Sequence, residues 1–132
     1  NNFQLDCYGS YSSSKINFIK TSMAKFEILK NYSFCLCPEN TLATPGYFDG
    51  RVAEAFLGKT LPITWANNSI CHDYNPNAFI NLNDYFFDNF ETLIQNLKNI
   101  EFLKKFSKEP LLLKKPDIKD HFLFAEKILS SL

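Results

Sequence analysis

Arg51 is the residue whose chemistry stands out first. The chain has 14 basic side chains, and Arg51 is the only arginine among them. A guanidinium offers a planar fork of donors that fits phosphate or carboxylate better than an ammonium group does. A polar loop at 38–45 precedes a helix predicted to begin near Gly46, whose free N–H groups would favour an anion. The pattern therefore predicts a phosphate site, and the alternative is an arginine solvated on a helix surface.

Cysteine and histidine suggest less chemistry. Cys35 and Cys37 stand two residues apart in an apolar run, so both face one side of a strand. Structural zinc sites use differently spaced ligands, and His72 and His121 are too far apart to read as a ligand pair. The large apolar content favours reduced thiols over a disulfide scaffold. We expect neither a metal nor a dinucleotide cofactor, since no Gly-x-Gly-x-x-Gly occurs.

Composition limits the class of protein. At 132 residues the chain is about one domain, and 45% hydrophobic with 16% aromatic residues is enough to build a core. A formal net charge of +0 argues against a dedicated nucleic-acid-binding protein. No run of 18 apolar residues and no charged-then-apolar leader is present. Because the chain opens with Asn1-Asn2 rather than Met, we expect it to be a fragment.

Strands and helices are predicted to alternate along the chain. Short apolar runs predict strands at 3–8, 32–37, 60–65 and 78–82. Apolar spacing predicts helices at 23–30, 46–58 (closed by Gly58), 88–106 (capped by Asp88) and 117–131. This alternation indicates an α/β fold, a Rossmann-like α/β/α sandwich with a mainly parallel sheet. We expect an α/β core at about 1–95 and C-terminal helices at about 96–132, within a single domain.

Four segments carry a resemblance to a known family. They are Tyr-Ser-Phe-Cys-Leu-Cys-Pro-Glu-Asn at 32–40, Gly-Tyr-Phe-Asp-Gly-Arg at 46–51, Thr-Leu-Pro-Ile-Thr-Trp at 60–65 and Asp-Tyr-Asn-Pro-Asn-Ala-Phe-Ile-Asn at 73–81. In order and spacing they resemble the donor-binding half of bacterial α-1,3-fucosyltransferases, glycosyltransferase family 10, over about residues 5–95. The resemblance implies a GT-B enzyme, in which two Rossmann-like domains face a cleft. This chain would be the C-terminal, GDP-fucose-binding domain, without the N-terminal acceptor domain.

The resemblance also implies a set of donor-binding residues. They are Glu39, Asn40, Gly46, Tyr47, Asp49 and Arg51. Two positions depart from the family pattern: Gly50 replaces a glutamate that would hold the ribose, and Arg51 replaces a lysine that neutralises phosphate. Asp49, beside Gly50, could substitute for that glutamate and bind the ribose hydroxyls after a small shift in position.

Several of these residues have a second interpretation. Tyr47 could contact the base or pyrophosphate, or could be an apolar staple at the helix start. Asn40 could donate to phosphate or sugar, or cap the loop. Glu39 could hold a fucose hydroxyl, or cap the following turn. Trp65 is expected in the core, and a turn signature is enough to explain Asp73, Asn75 and Pro76.

The implied activity is inverting transfer of fucose from GDP-fucose to a glycan acceptor, such as N-acetylglucosamine in a surface polysaccharide. Arg51 and the free amides of the helix N-terminus would stabilise the leaving diphosphate, and no metal is required if these groups supply the positive charge. The general base would belong to the missing domain. The fragment alone is then expected to be inactive. The alternatives are a degenerate, non-catalytic interaction module and a transferase that uses another nucleotide sugar.

The C-terminal part is both basic and apolar. Lysines at 104, 105, 108, 114 and 115 surround Leu111–Leu113. Such a segment could contact an anionic membrane, as glycan-building enzymes often do, or could pack back on the domain. We expect a cytoplasmic protein that could be peripheral at the inner membrane.

Overall fold

The secondary structure alternates between strands and helices, as predicted. A computed structural model describes residues 4–9, 18–85, 89–115 and 118–131. The strands in these ranges are β1 (Cys7–Tyr8), β2 (Phe18–Ile19), β3 (Phe34–Pro38), β4 (Leu61–Trp65) and β5 (Ile80–Asn81). The α-helices are α1 (Lys25–Leu29), α2 (Arg51–Leu57), α3 (Phe90–Asn96), α4 (Ile100–Lys104) and α5 (Ile118–Leu129), and 3₁₀ turns span Asn68–His72 and Leu82–Asp84.

The main sheet is parallel, which confirms the prediction. Its order is β3-β4-β5, with Phe34 opposite Leu61, Pro38 opposite Trp65, and Ile63 opposite Ile80. The carboxyl ends of β3 and β4 therefore meet at one edge of the sheet. The strands β1 and β2 form a separate parallel pair. The two-residue strand β2 was not predicted.

Helices cover both faces of this sheet. On one face Cys37 of β3 packs with Val52 and Ala55 of α2. On the other face Ile63 packs with Leu93 of α3. Burying each of the larger apolar side chains stabilises the fold by about 1.5–3 kcal/mol. The predicted α/β/α sandwich is confirmed.

The start of α2 differs from the prediction. The predicted helix at 46–58 was wrong at its beginning, because the helix runs only from Arg51 to Leu57. Gly46 has a φ of +79°, which a helix cannot contain, and Asp49 Oδ1 accepts the Arg51 N–H at 2.8 Å. The side chain of Asp49 thus fixes the first helical residue. The residues between Gly46 and Asp49 belong to the preceding loop.

Gly58 ends α2, as predicted, but for a different physical reason. Its φ is −72°, and the left-handed residue is Lys59, with a φ of +62°. A Cβ on Gly58 would lie 2.8 Å from the Leu29 side chain of α1. A glycine is needed here because α1 and α2 approach each other closely.

The predicted helix at 88–106 is two helices. The break follows α3, and the Asn99 side chain accepts the Glu101 N–H at 2.9 Å, which caps the start of α4. The predicted cap Asp88 lies outside the described residues, as does the beginning of the first predicted strand. The predicted helix at 117–131 is confirmed as α5.

The segment that precedes α5 is held against the domain. Asn75 N–H donates to Leu111 O at 2.7 Å, and Leu113 N–H donates to Asp73 O at 3.1 Å. Leu111 is buried, while Leu112 and Leu113 are exposed. Among the described helices none is long and apolar enough to cross a membrane.

Candidate functional site

The candidate site lies where β3 and β4 end. Backbone pairing continues for one residue past the sheet, since Glu39 N–H donates to Trp65 O at 3.1 Å. The chain then leaves the sheet as the loop at 39–50 and returns through α2. Ligands of open parallel sheets bind beyond this edge.

The guanidinium of Arg51 turns back toward the carboxyl end of β3. Its Nη1 donates to the carbonyl of Pro38, its Nη2 donates to Asn40 Oδ1 at 3.2 Å, and its Nε donates to the carboxylate of Asp49. The hydrogen bond to Asp49 raises the pKa of Arg51 above its ordinary value. A guanidinium has five N–H donors, so these contacts leave two of them for a ligand. The side chain is 33% exposed, which leaves it within reach of one.

Two carboxylates accept hydrogen bonds from the backbone N–H groups of Asp49 and Arg51. Both oxygens of Glu39 lie 3.3 Å from the Asp49 N–H, and Asp49 Oδ1 accepts the Arg51 N–H. Glu39 is 7% exposed. The predicted helix start near Gly46 was wrong, whereas the phosphate pocket itself stays a prediction. The helix begins five residues later, and the backbone N–H groups of Asp49 and Arg51 already donate hydrogen bonds to the carboxylates of Glu39 and Asp49.

Asn40 links the arginine to an aromatic hydroxyl. Its Nδ2 donates to Tyr47 Oη at 3.1 Å, while its Oδ1 accepts from Arg51. The Tyr47 ring is 38% exposed, so it does not act as a buried staple at a helix start. Gly46 lies at the border of this group, and its N–H donates to Ser69 Oγ at 2.6 Å.

The structure thus brings five predicted side chains into one hydrogen-bonded group, with Gly46 beside it. We call this group the carboxyl-edge cluster; its members are Glu39, Asn40, Tyr47, Asp49 and Arg51. Two carboxylates face one guanidinium. The cluster is therefore net negative, and an anion that binds there meets a guanidinium already paired with Asp49.

Further polar and aromatic groups at this edge were missed or set aside at the level of sequence. Trp65 is 50% exposed and its indole N–H donates to Asn83 Oδ1 at 2.8 Å, so the expectation of a core tryptophan was wrong. Asn81 bonds through its side chain to both backbone groups of Ala66. The signal was present in the sequence, because an asparagine stands at or just after the end of each main strand.

A cavity of about 510 Å³ lies elsewhere. Its wall includes Phe34, Lys59, Leu61 and Phe106, near the amino ends of β3 and β4. This is the opposite edge of the sheet from the carboxyl-edge cluster. It is not the place where parallel sheets position catalytic or donor-binding groups.

No group of three or more metal-ligating side chains of the His, Cys, Asp and Glu types is found among the described residues. His72 is exposed at the end of its 3₁₀ turn, and the side chain of His121 is outside what the structure describes. All four cysteines are free thiols. Cys35 and Cys37 do face the same side of β3, as predicted, and Cys37 packs against α2.

Comparisons with known proteins identify relatives of this chain. Residues 1–108 match the family described as glycosyltransferase family 10 (fucosyltransferase) C-term. A stretch of 74 residues is 39% identical to the alpha-(1,3)-fucosyltransferase FucT of Helicobacter pylori, and that stretch is 56% of this chain and 15% of the relative.

The fold is also similar to solved structures. A crystal structure of alpha1,3-fucosyltransferase with GDP is 25% identical, with a TM-score of 0.74, over 89% of this chain and 38% of that one. A crystal structure with GDP-fucose has a TM-score of 0.74 at 24% identity, over 88% of this chain and 37% of that one, which supports the fold alone. The chain therefore spans well under half the length of these relatives.

Proposed function

This chain belongs to glycosyltransferase family 10, and on that premise we propose that it binds the nucleotide-sugar donor GDP-fucose for an inverting fucosyltransferase. The observation that carries the proposal is the carboxyl-edge cluster, which gathers a guanidinium, an amide and a phenol where β3 and β4 end. Support comes from the similarity to an alpha1,3-fucosyltransferase crystallised with GDP.

In the proposed mechanism Arg51 acts on the leaving group. Cleavage of the bond between fucose and phosphate develops negative charge on the diphosphate, and a guanidinium fixed nearby stabilises that charge more in the transition state than in the ground state. Asn40 Oδ1 and Pro38 O hold two arms of the fork, so the side chain is oriented before the donor arrives. Asn40 and Tyr47 then present an amide and a phenol to phosphate or sugar.

The acceptor half of the reaction is assigned to a part of the enzyme that this chain does not include. Inversion needs a general base to take the proton of the acceptor hydroxyl as the new bond forms. We place that base in an N-terminal acceptor domain, and accordingly assign no catalytic residue here. The chain alone is expected to bind donor without transferring fucose.

Calorimetric titration with GDP tests the donor site. Arg51→Ala is expected to weaken GDP binding about tenfold or more, since a hydrogen bond to a charged group contributes about 1.5–3 kcal/mol. Arg51→Lys keeps the charge without the fork and is expected to lose less. Lys59→Ala is the matched control, because Lys59 is an exposed cation at the opposite edge of the sheet. Equal heats for wild type and Arg51→Ala would remove Arg51 from the site, and tighter binding of UDP than GDP would favour another nucleotide sugar.

A second candidate is a degenerate module that no longer binds nucleotide. It is favoured by Gly50, which stands where the family carries a ribose-binding glutamate, and by Asp49, whose two oxygens are already used by Arg51. Gly50→Glu separates the two candidates. A Cβ at Gly50 would meet nothing within 4 Å, so the glutamate can be accommodated. Absence of GDP binding in wild type with a gain in Gly50→Glu would indicate degeneration.

We also propose, more finely, that the parent enzyme uses no metal and modifies a surface polysaccharide such as a lipopolysaccharide, with N-acetylglucosamine as acceptor. It would act in the cytoplasm at the inner membrane. Exposed Leu112 and Leu113 beside Lys114 and Lys115 support a peripheral membrane contact. Sedimentation with anionic and neutral vesicles tests the contact, and GDP titration with and without EDTA tests the metal.

A further inference from the structure

Two thiols lie side by side on β3, beneath the start of α2. The sulfur atoms of Cys35 and Cys37 are 3.6 Å apart. Cys37 is 1% exposed, whereas Cys35 is only partly buried. In the described part of the sheet β3 is an edge strand, paired on one side by β4. A reagent can therefore reach the pair from the side of the partly exposed Cys35.

The two thiols have different acidities. The Cys37 thiol donates to the sulfur of Cys35, which lowers the pKa of Cys35 to about 7 despite its partial burial. The charged groups that face Cys35 are Lys25 of α1, which lowers this pKa, and Glu54 of α2, which raises it; the two are paired with each other. The hydrogen bond to Cys35, together with burial, raises the pKa of Cys37. Cys35 is thus the nucleophile that reacts first, and Cys37 is the partner that follows.

The geometry favours a bridging atom over a direct disulfide. Residues two apart in a strand have α-carbons about 6.6 Å apart with side chains projecting in parallel, whereas a disulfide needs β-carbons about 3.5–4.5 Å apart. A trivalent arsenic atom is pyramidal, and it would hold two bonded sulfurs somewhat closer together than the 3.6 Å that separates the Cys35 and Cys37 sulfurs here. Only small side-chain rotations are therefore needed to bridge them.

We propose that Cys35 and Cys37 form a dithiol site that chelates trivalent arsenic compounds, the class of thiophilic metalloid that needs only two thiols from the protein. The step is a condensation without redox change. An arsenoxide, R–As=O, reacts with two S–H groups to form two As–S bonds, and the oxygen leaves as water with the two thiol protons. Arsenic remains trivalent throughout.

This site is mechanically connected to the carboxyl-edge cluster. The Cys37 sulfur lies 3.5 Å from the carbonyl oxygen of Arg51, and the Cys37 carbonyl accepts from Thr64 Oγ1 at 2.7 Å. A bridging arsenic atom replaces the Cys37 thiol proton, which removes the hydrogen bond that Cys37 donates to the Arg51 carbonyl at the start of α2. It should therefore weaken donor binding, a consequence that rests on the proposed function.

Intact-protein mass spectrometry with phenylarsine oxide tests the site. The wild-type chain is expected to take up one phenylarsenic unit with loss of one water, to keep it in excess monothiol and to release it to a dithiol. Cys35→Ser and Cys37→Ser should each lose the monothiol-resistant adduct, while Cys7→Ser and Cys71→Ser should keep it. Retention of the adduct in Cys35→Ser, or its loss in Cys71→Ser, overturns the proposal.

Two further measurements keep the test decisive. Should the buried Cys37→Ser variant fail to fold, prior alkylation of the less buried Cys35 in wild type removes one thiol of the pair and should abolish the monothiol-resistant adduct. Uptake of that adduct after Cys35 has been alkylated overturns the proposal. GDP titration of the arsenical adduct is a separate experiment. If the wild-type chain does not bind GDP at all, the proposed function fails, but the mass spectrum still decides whether the dithiol site binds arsenic.

Discussion

Tyr32 ties the N-terminal pair of strands to the beginning of β3. Its hydroxyl donates to Asp6 Oδ2 at 2.7 Å and accepts from the Tyr8 hydroxyl at 2.6 Å. The two tyrosine rings meet edge to face with centroids 6.0 Å apart. Hydrogen bonds to its carboxylate, first from Tyr32 and then from Gln4, lower the pKa of Asp6 below its usual 3.8.

We expect Tyr32→Phe to lower the free energy of unfolding near neutral pH, with a difference from wild type that shrinks on acidification. The folded-state pKa of Asp6 is depressed, so its contribution is complete above the unfolded value of 3.8 and is lost as the pH falls through the folded value. Urea unfolding of both proteins over a pH series measures this. Tyr8→Phe is the control, since it leaves the bond between Tyr32 and Asp6 intact. A pH-independent difference between wild type and Tyr32→Phe would contradict the expectation.

At the residue scale, position in the fold was predictable but pairing was not. Glu39, Asn40 and Arg51 could be placed at one sheet edge because parallel strands end together. The contact of Arg51 with Asp49 depends on which residue starts α2, and that choice is made by a side-chain cap within the loop. The exposed Trp65 was missed because strand-end tryptophans fit a core equally well.

The contact between α1 and α2 depends on the absence of a side chain at Gly58. Gly58→Ala would place a Cβ 2.8 Å from the Leu29 side chain, so the helices must separate or Leu29 must change rotamer. We expect a loss of about 1–3 kcal/mol in unfolding free energy, measured by urea denaturation.

Gly50→Ala is the matched control for this substitution. Its φ is −73°, and an added Cβ meets no atom within 4 Å. Its effect should be small or stabilising, because alanine restricts the unfolded chain more than glycine does. Equal destabilisation by both substitutions would show that close approach is not what selects glycine at Gly58.

Element boundaries were less predictable than element types. The apolar spacing continues through residues 46–58 and through 88–106, so a periodicity argument joins each into one helix. The structure divides them where a polar side chain captures backbone N–H groups, Asp49 before α2 and Asn99 before α4. Such hydrogen bonds between side chain and backbone compete locally with helix propagation, and the spacing of apolar residues does not predict them.

For the molecule as a whole, Asn75 fastens the C-terminal segment to the core. The side chain is 8% exposed, and its Nδ2 donates to Glu109 Oε2 and to Pro110 O, both at 3.0 Å. Its Oδ1 accepts from the Asn77 N–H at 3.0 Å. This motif residue therefore has a structural explanation without any ligand.

Asn75→Ala is expected to cost about 1–3 kcal/mol, because it removes the hydrogen bonds from the Asn75 side chain to Glu109 and Pro110. Amide hydrogen exchange at residues 109–113 should accelerate, since these residues lose their attachment first. Asn77→Ala, at an exposed position, is the control and should change little. Unchanged exchange at 109–113 in Asn75→Ala would show that the backbone hydrogen bonds of Leu111 and Leu113, with the burial of Leu111, hold the segment without the Asn75 side chain.

The overall architecture could be predicted from the alternation of strands and helices alone, whereas the short strand β2 and the attachment of the C-terminal segment could not. Apolar runs between helices specify a parallel sandwich because few other topologies bury them. A two-residue strand such as β2 has no periodicity to read, and the attachment of 109–113 joins residues more than thirty positions apart. Local patterns do not encode such distant pairings.

The carboxylate of Asp49 serves two partners, the first amide of α2 and the guanidinium of the same residue. Under the proposed function, a diphosphate that draws the guanidinium away leaves that carboxylate with only the amide, so binding of the anion and breaking of the ion pair between Asp49 and Arg51 become coupled equilibria. Because binding replaces one ionic partner of Arg51 with another, the net free energy of binding depends on how much more negative charge the phosphate groups carry than Asp49 does. We therefore expect a doubly charged pyrophosphate to compete for the guanidinium better than a singly charged anion does.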